Sequence, residues 1–386
     1  MPTNGKNNES SPLVILELCL APNLGGLELY FFRSCLHYST TRHTLVSVVS
    51  PASRLRQHLD QHELPYTLLE APQWYQLPAR AIQLARLIRK NRVDIVHVHH
   101  KQDLPLVALA KRLGSNFTLV HTRQMHLPHP KKDPYHRFIY TAVDLLIAIT
   151  DQLKANILKH VPLPPHRVQR LYYGVAPPPA PDPTYCQALR SKTEDRTALR
   201  IGMFSRVEPL KGQHTLLAAV VRLRQRGHQL VCHLFGDVFD QAYYQELLQT
   251  IRTHRLESTV FFEGFTTQAR AFMPCMDIIV MPSIGETFGL TVVEAMRSGV
   301  AVIGADDGGI PEIIQHGVNG LLFAPEDDQQ LAQRMAYLMN HPAERKNLAH
   351  IGQQDADQRF DEAHHFDQLT QLFYRYHEAH PDQSDR

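Results

Sequence analysis

The 386-residue chain has five cysteines and a single tryptophan. Cys19, Cys35, Cys186, Cys232 and Cys275 are scattered and form no CxxC pair. That spacing argues against a cysteine metal site and fits a reduced compartment better than a disulfide framework. Long apolar runs are missing too. The stretch Leu13 to Leu20 is broken by Glu17 and is far too short to cross a bilayer. The opening residues, MPTNGKNNESSP, are polar and lack the apolar region of a signal peptide. Neither secretion nor a membrane span is expected, and the cytoplasm is the expected compartment. The glycine pair Gly25-Gly26 has neither the GxGxxG spacing of a dinucleotide fold nor the lysine pattern of a P-loop.

What is present is the composition of a globular protein. Hydrophobic residues make up 43% and charged residues 20%, enough for two cores and against a disordered or collagen-like chain. The net charge is only +2, yet it is unevenly spread. Residues 1–190 carry 22 Lys and Arg against 12 Asp and Glu, whereas residues 191–386 carry 18 against 26. Such asymmetry fits a half that meets an anionic partner, and equally two solvated faces of opposite sign.

Short apolar runs alternate with longer amphipathic stretches. Expected strands in the first half are Leu13–Leu20, Thr44–Val49, Ile95–Val98, Thr118–His121 and Leu145–Ile149. In the second half they are Leu199–Phe204, Leu230–Phe235, Val260–Phe262, Ile278–Met281, Val300–Ile303 and Leu321–Phe323. Helical patterns such as Ala79–Lys90 lie between them, with one apolar and one basic face. This alternation implies parallel α/β sheets. The segment APPPAPDP, Ala176 to Pro183, reads as a linker because proline fixes φ and lacks an amide donor. The expected organisation is therefore a Rossmann-like domain over 1–175, a Pro-rich linker over 176–198, a second Rossmann-like domain over 199–359 and a helix over 360–378.

Three segments at expected strand ends carry polar chemistry. In MPSIGETFGLTVVE, Met281 to Glu294, a strand gives way to a loop and then to a helix starting near Leu290 or Thr291. Free amides at Gly289, Leu290 and Thr291 would make an anion site. Glu286 and Glu294 are better suited to sugar hydroxyls than to phosphate, although an acidic first turn stabilises any helix. In IGMFSRVEPLKG, Arg206 and Lys211 can converge on one diphosphate, a forked donor and a point charge together; two exposed loop cations would look the same. The third segment is Pro22 to Glu28, where Gly25 and Gly26 permit close approach, as many tight turns do.

Together these segments resemble the retaining glycosyltransferases of family 4, the group 1 transferases with the GT-B fold. The ordered motifs are Gly25-Gly26, Asp94-Ile95-Val96-His97, Tyr173-Gly174-Val175, Phe204-Ser205-Arg206 with Lys211-Gly212, and Gly236-Asp237. They continue with Pro282-Ser283, Glu286, Glu294-Ala295-Met296, Gly299, Gly308-Gly309 and Pro311-Glu312. The resemblance implies two Rossmann-like parallel-sheet domains facing across a cleft, with the C-terminal helix crossing back to the N-domain. It implies that Arg206 and Lys211 hold the donor diphosphate without an obligatory metal and that Glu294 binds the ribose. Glu286 would face the donor sugar, with the amides of Phe288, Gly289 and Leu290 nearby. Gly25 and Gly26 would approach the diphosphate. His121 would lie beside donor sugar and acceptor, and Arg123 could contact an anionic acceptor. The base would lie along Phe235-Gly236-Asp237 and Glu263-Gly264-Phe265. Two places depart from the family pattern: Tyr173 stands where Asn is frequent, and Gly236-Asp237-Val238 lacks a further glycine.

The implied reaction moves a sugar from a nucleotide-diphosphate sugar, a UDP-sugar first, to a cell-envelope glycan or glycolipid such as lipopolysaccharide. The donor is a substrate; no cofactor and no metal is expected. A nucleotide-sugar 2-epimerase of related fold and an inactive scaffold are the alternatives. Intact Arg206, Lys211, Glu286 and Glu294 favour the transferase. The His97, His99 and His100 cluster lacks the helix spacing of a zinc motif and reads as strand-end and surface histidines. The basic first half suits peripheral docking on the inner face of a membrane; no nucleic-acid motif is present.

Overall fold

Runs of branched and aromatic residues form the strands. The computed structural model describes residues 11–180, 182–192 and 197–379. Most of the polar N-terminal stretch and residues 181 and 193–196 of the expected linker lie outside the described residues. The chain divides into two units, Met1–Tyr172 with His365–Arg386, and Tyr173–His364. The first holds β1 (Val14–Cys19), β2 (Thr44–Val49), β3 (Thr67–Leu68), β4 (Ile95–Val98), β5 (Thr118–Arg123), β6 (Leu145–Ala148) and β7 (Val168–Arg170). They form a seven-stranded sheet in the order β3-β2-β1-β4-β5-β6-β7. The second holds β8 (Leu199–Phe204), β9 (Leu230–Phe235), β10 (Val260–Gly264), β11 (Ile278–Met281), β12 (Ala301–Ala305) and β13 (Leu321–Phe323). Their order is β10-β9-β8-β11-β12-β13. Every pairing in both sheets is parallel.

Central strands β4 and β9 are buried along their whole length, as a sheet covered on both faces requires. The order reverses beside the first strand of each unit, between β1 and β4 and between β8 and β11. Neighbouring crossovers diverge there, so the loops beyond these strand ends leave room for a ligand. The helix Leu77–Asn91 shows the local logic: Ala81, Leu84, Ala85 and Ile88 are buried at helical spacing and the other faces are left to solvent.

Two strands escape the sequence pattern. β3 and β7 are two and three residues long and close the two edges of the first sheet. An edge strand is paired on one side only and needs no apolar run. The segment 176–198 corrects the linker expectation. It carries the helix Pro183–Arg190, whose first turn tolerates proline and is capped by the Asp182 carboxylate. It is also tied to the second unit: Arg270 donates to the Ala176 and Pro177 carbonyls, and Tyr185 packs edge-on against Phe272. Cys186 and Cys275 form a disulfide, which corrects the expectation of five reduced cysteines. Cys19, Cys35 and Cys232 are free and buried.

The last helix, Glu362–Glu378, lies on the first unit from His365 onward. Phe366 stacks on Tyr30 and His37, and Phe373 stacks on Tyr38. Its polar anchor is a relay: His365 Nδ1 donates to the Tyr172 carbonyl at 2.6 Å, and the Tyr30 hydroxyl donates to His365 Nε2 at 2.8 Å. Burial holds His365 neutral, its pKa pushed down to about 3. Replacing Phe366, which is 2% exposed, with alanine removes a large side chain from this seat. The expected cost is about 3–5 kcal/mol, read as an earlier urea transition by circular dichroism; an unchanged transition contradicts this docking.

Candidate active site

In each unit the sequence-expected residues lie at strand ends and on the loops and helix starts beyond them, some at the switch point and others, such as Phe265 after β10, away from it. In the second unit β8 ends at Phe204 and delivers Arg206, whose guanidinium pairs with Glu208 at 2.9 Å and lies over the Phe239 ring. Gln213, buried at the start of the helix Gln213–Gln225, donates to the Arg206 carbonyl at 2.8 Å and to Ser205 Oγ at 3.2 Å. It fixes the loop that carries Arg206. Nothing in the sequence marked this residue. Gly236 is required for close approach, since a Cβ there would sit 1.9 Å from the Ser205 carbonyl oxygen at φ +146°. Asp237 is exposed, and its carbonyl accepts the Val207 amide at 2.8 Å. Phe265 is also exposed, 69%.

At the end of β11, Lys211 Nζ lies 2.8 Å from Glu286 Oε2. The loop bearing Glu286 is pinned from the far side. Asp307 accepts the Gly285 amide at 2.6 Å, and the Gly309 amide donates to the Glu286 carbonyl at 2.7 Å. A Cβ on Gly308 would meet that carbonyl oxygen at 2.1 Å. The Gly308-Gly309 motif thus serves the glutamate loop, a link that only the fold displays. The helix Leu290–Arg297 begins after Gly289, left-handed at φ +103°. Val292 and Val293 are its first amides bonded back to Gly289, which leaves the preceding amides as an anion-binding turn. The Phe288 side chain is not part of the opening; it is buried against Tyr173 and Phe360. Glu294 sits one turn into the helix, 3.7 Å from Arg270.

In the first unit the turn Pro22 to Gly25 follows β1. Gly25 is extended and caps the helix Gly26–Ser39; a Cβ on it would come within 3.2 Å of the buried Glu28 carboxylate, whereas one on Gly26 would touch nothing. Both glycines are exposed. His121 on β5 is 1% exposed, and its Nδ1 donates to the Val98 carbonyl at 2.9 Å. Burial and the nearby Arg123 charge push its pKa down to about 3. The ring is neutral and Nε2 is its accepting nitrogen, with no hydrogen-bond partner among the described residues. Arg123 is 4% exposed; its Nε–H donates to the Met125 carbonyl, and no carboxylate pairs with it among the described residues. His121 and Arg123 share a cavity of about 50 Å³ with Leu27, His100, Lys101 and Gln124.

A buried ionic group adjoins this cavity through His99, which also lines it. The Glu17 carboxylate on β1 accepts from Ser34 Oγ at 2.7 Å, from His97 Nδ1 at 3.0 Å and from His99 Nε2 at 2.5 Å. Burial alone would raise its pKa; the charges and hydrogen bonds of His97 and His99 outweigh that and hold the carboxyl far below its ordinary range. His99 is pushed down by burial to about 4. Among the described residues these three are the set of side chains whose ligand atoms come together as a metal site requires. Here they bind one another. His97 and His99 do lie at the end of β4, but the expectation of surface histidines is corrected for them: both are buried on Glu17, with His97 opposite it in the strand register.

Buried neutral imidazoles make a pH prediction. His99, His121 and His365 have folded pKa values of about 3–4, below the ordinary 6.5. The unfolded chain therefore binds more protons between those values, so stability is present above pH 6.5 and falls as pH drops. Asp103, raised by burial to about 7, works in the opposite direction. Net acid destabilisation from pH 6.5 toward 4 is expected in the melting temperature, with a smaller slope in His121→Asn.

Comparison with known proteins identifies the family and the fold. Residues 24–177 match the family model described as Glycosyltransferase Family 4, and residues 187–355 match Glycosyl transferases group 1. D-inositol 3-phosphate glycosyltransferase of Pseudarthrobacter chlorophenolicus is 26% identical over 69% of this chain and 67% of its own length. HepE of Anabaena, solved in complex with UDP, superposes with a TM-score of 0.81 at 24% identity, covering 95% of this chain and all of that one. A further structure of HepE holds UDP-glucose. The apo lipopolysaccharide outer core galactosyltransferase WaaB superposes with a TM-score of 0.71 at 18% identity, covering 94% and 99%. The chain belongs to the group 1, family 4 glycosyltransferases and has the GT-B type of fold.

Proposed function

We propose that this glycosyltransferase moves a sugar, with retention, from a UDP-sugar to a hydroxyl of a cell-envelope glycan or glycolipid such as lipopolysaccharide. The observation that carries the reading is the Lys211–Glu286 ion pair, which joins the loops after β8 and β11 at the switch point of the second unit, with Arg206 following β8 and Glu294 on the helix after Gly289. The UDP and UDP-glucose complexes of HepE support the uridine donor, and the likeness to WaaB supports an envelope acceptor.

Lys211 and Arg206 carry the electrostatic work. Each already has a carboxylate partner, so the donor diphosphate exchanges one anion for another instead of meeting two bare cations. As the sugar–phosphate bond breaks, charge grows on the leaving diphosphate, and fixed cations stabilise it more than they stabilise the bound donor. This neutralisation needs no metal, and we propose that none is obligatory. Glu294 accepts from the ribose hydroxyls and Glu286 faces the sugar. They do not form a glycosidase pair, which needs two carboxyls about 5 Å apart across the bond; the donor phosphate takes the acceptor proton on the same face. His121, neutral with Nε2 free to accept, positions a hydroxyl. Arg123, a buried cation with no carboxylate partner among the described residues, receives an anionic group of the acceptor, in keeping with the inositol 3-phosphate named for one relative. The basic first unit keeps the enzyme peripheral on the inner membrane face.

A thermal-shift panel of UDP, GDP, ADP and CMP tests the donor. UDP at a hundred times its dissociation constant should stabilise by about 2.7 kcal/mol, with less shift in Glu294→Ala and no change on adding chelator. A panel with no shift contradicts the donor site. Lys211→Ala is expected to lower kcat by about 10²–10³ with UDP still bound. Arg123→Gln should raise KM for an anionic acceptor and leave the UDP shift unchanged; an unchanged KM contradicts the acceptor role.

A further inference from the structure

Away from both switch points, the helix Leu77–Asn91 and the turn Trp74–Gln76 before it carry a surface that transfer does not use. Trp74, the only tryptophan of the chain, is 86% exposed, and Tyr75 beside it is 64% exposed. From Tyr75 one solvent-facing line runs along the helix through Ala79, Ile82, Arg86 and Lys90, at the three- to four-residue spacing of a single face. The line is aromatic and apolar at one end and cationic at the other. The helix contains no acidic residue. Arg80 pairs with Glu70, but Arg86, Lys90 and the following Arg92 have no carboxylate partner among the described residues. A groove of about 240 Å³ runs alongside, between the edge strand β3 and this helix, lined by apolar Leu68, Leu84 and Leu87 together with Arg86 and Lys90.

We propose that this face docks on an anionic lipid bilayer, with Trp74 and Tyr75 at headgroup depth and Arg86, Lys90 and Arg92 on lipid phosphates. Exposed tryptophan and tyrosine lose contact with water at little cost only where an apolar layer meets a polar one. Three neighbouring cations without protein anions are complementary to a leaflet of anionic headgroups. The groove can take a segment of acyl chain beside these cations. The inference rests on the reading that the acceptor lies at a membrane, and it gives that docking a defined place on the molecule.

The lone tryptophan is its own reporter. The full chain is mixed with phosphatidylcholine vesicles, with or without phosphatidylglycerol, and Trp74 emission is followed together with co-sedimentation. A blue shift, protection from acrylamide and quenching by brominated lipid are expected only with the anionic vesicles. Arg86→Glu with Lys90→Glu should weaken partitioning by at least about 25-fold, roughly fivefold per cation, and Trp74→Ser should weaken co-sedimentation. Circular dichroism and the UDP thermal shift on the same samples show that each variant is folded. Unchanged emission with anionic vesicles, or equal binding by the double variant, overturns the proposal. So does a blue shift that grows with protein concentration without lipid, since a second copy then covers the face. A protein that shifts with UDP but ignores vesicles loses only the docking. One that binds vesicles but no nucleotide keeps the docking and loses the transferase reading.

Discussion

A parallel sheet covered on both faces leaves polar chemistry one outlet, the loops at its strand ends. The polar loops at the two switch points follow from that constraint. Strands such as β4 and β9 are buried throughout, so charged groups cannot surface from their middles. They appear where the strand order reverses, beside β1 and β4 in one unit and β8 and β11 in the other. Glycines are decisive only where backbones must touch there, as at Gly236 against Ser205 and Gly308 against Glu286.

The two units manage charge in opposite ways. The second unit pairs two of its cations in half-exposed ion pairs, Lys211 with Glu286 and Arg206 with Glu208. Such pairs are individually weak and open readily to a stronger anion. The other unit buries its charges. Glu17 satisfies three donors at full burial, and losing any one of them would expose a buried anion to an apolar surround. That buried group sets His97 and His99 in place, and His99 lines the same cavity as His121 and Arg123. Arg123 is the exception, a buried cation with no carboxylate partner among the described residues.

Long-range ties complete the architecture. The last helix seats Phe366 and Phe373 on Tyr30 and Tyr38 and anchors through His365. Arg297 binds the Val175 carbonyl, Asp357 and Asp361, and Arg270 binds the carbonyls of Ala176 and Pro177. Two buried or half-buried arginines thus grip the segment after Tyr173. Prolines lack amide donors, so their carbonyls must be met by side chains from elsewhere.

Local pattern determined much of this protein. Six strands, among them Thr44–Val49 and Ile278–Met281, have the bounds their apolar runs imply, and the helix start at Leu290 follows from Gly289 and the polar loop before it. The placement of Arg206 and Glu286 on the loops after β8 and β11 was legible because those strands are marked by apolar runs. The edge strands β3 and β7 were not, since two or three residues paired on one side need no pattern. The helix in the proline segment was hidden because its stability comes from Asp182, Cys275 and Phe272, the last two far along the chain. Glu17 read only as a break in an apolar run, and His97 and His99 as strand-end residues. Strand register alone brings them together, and such pairing between distant segments has no signature in sequence.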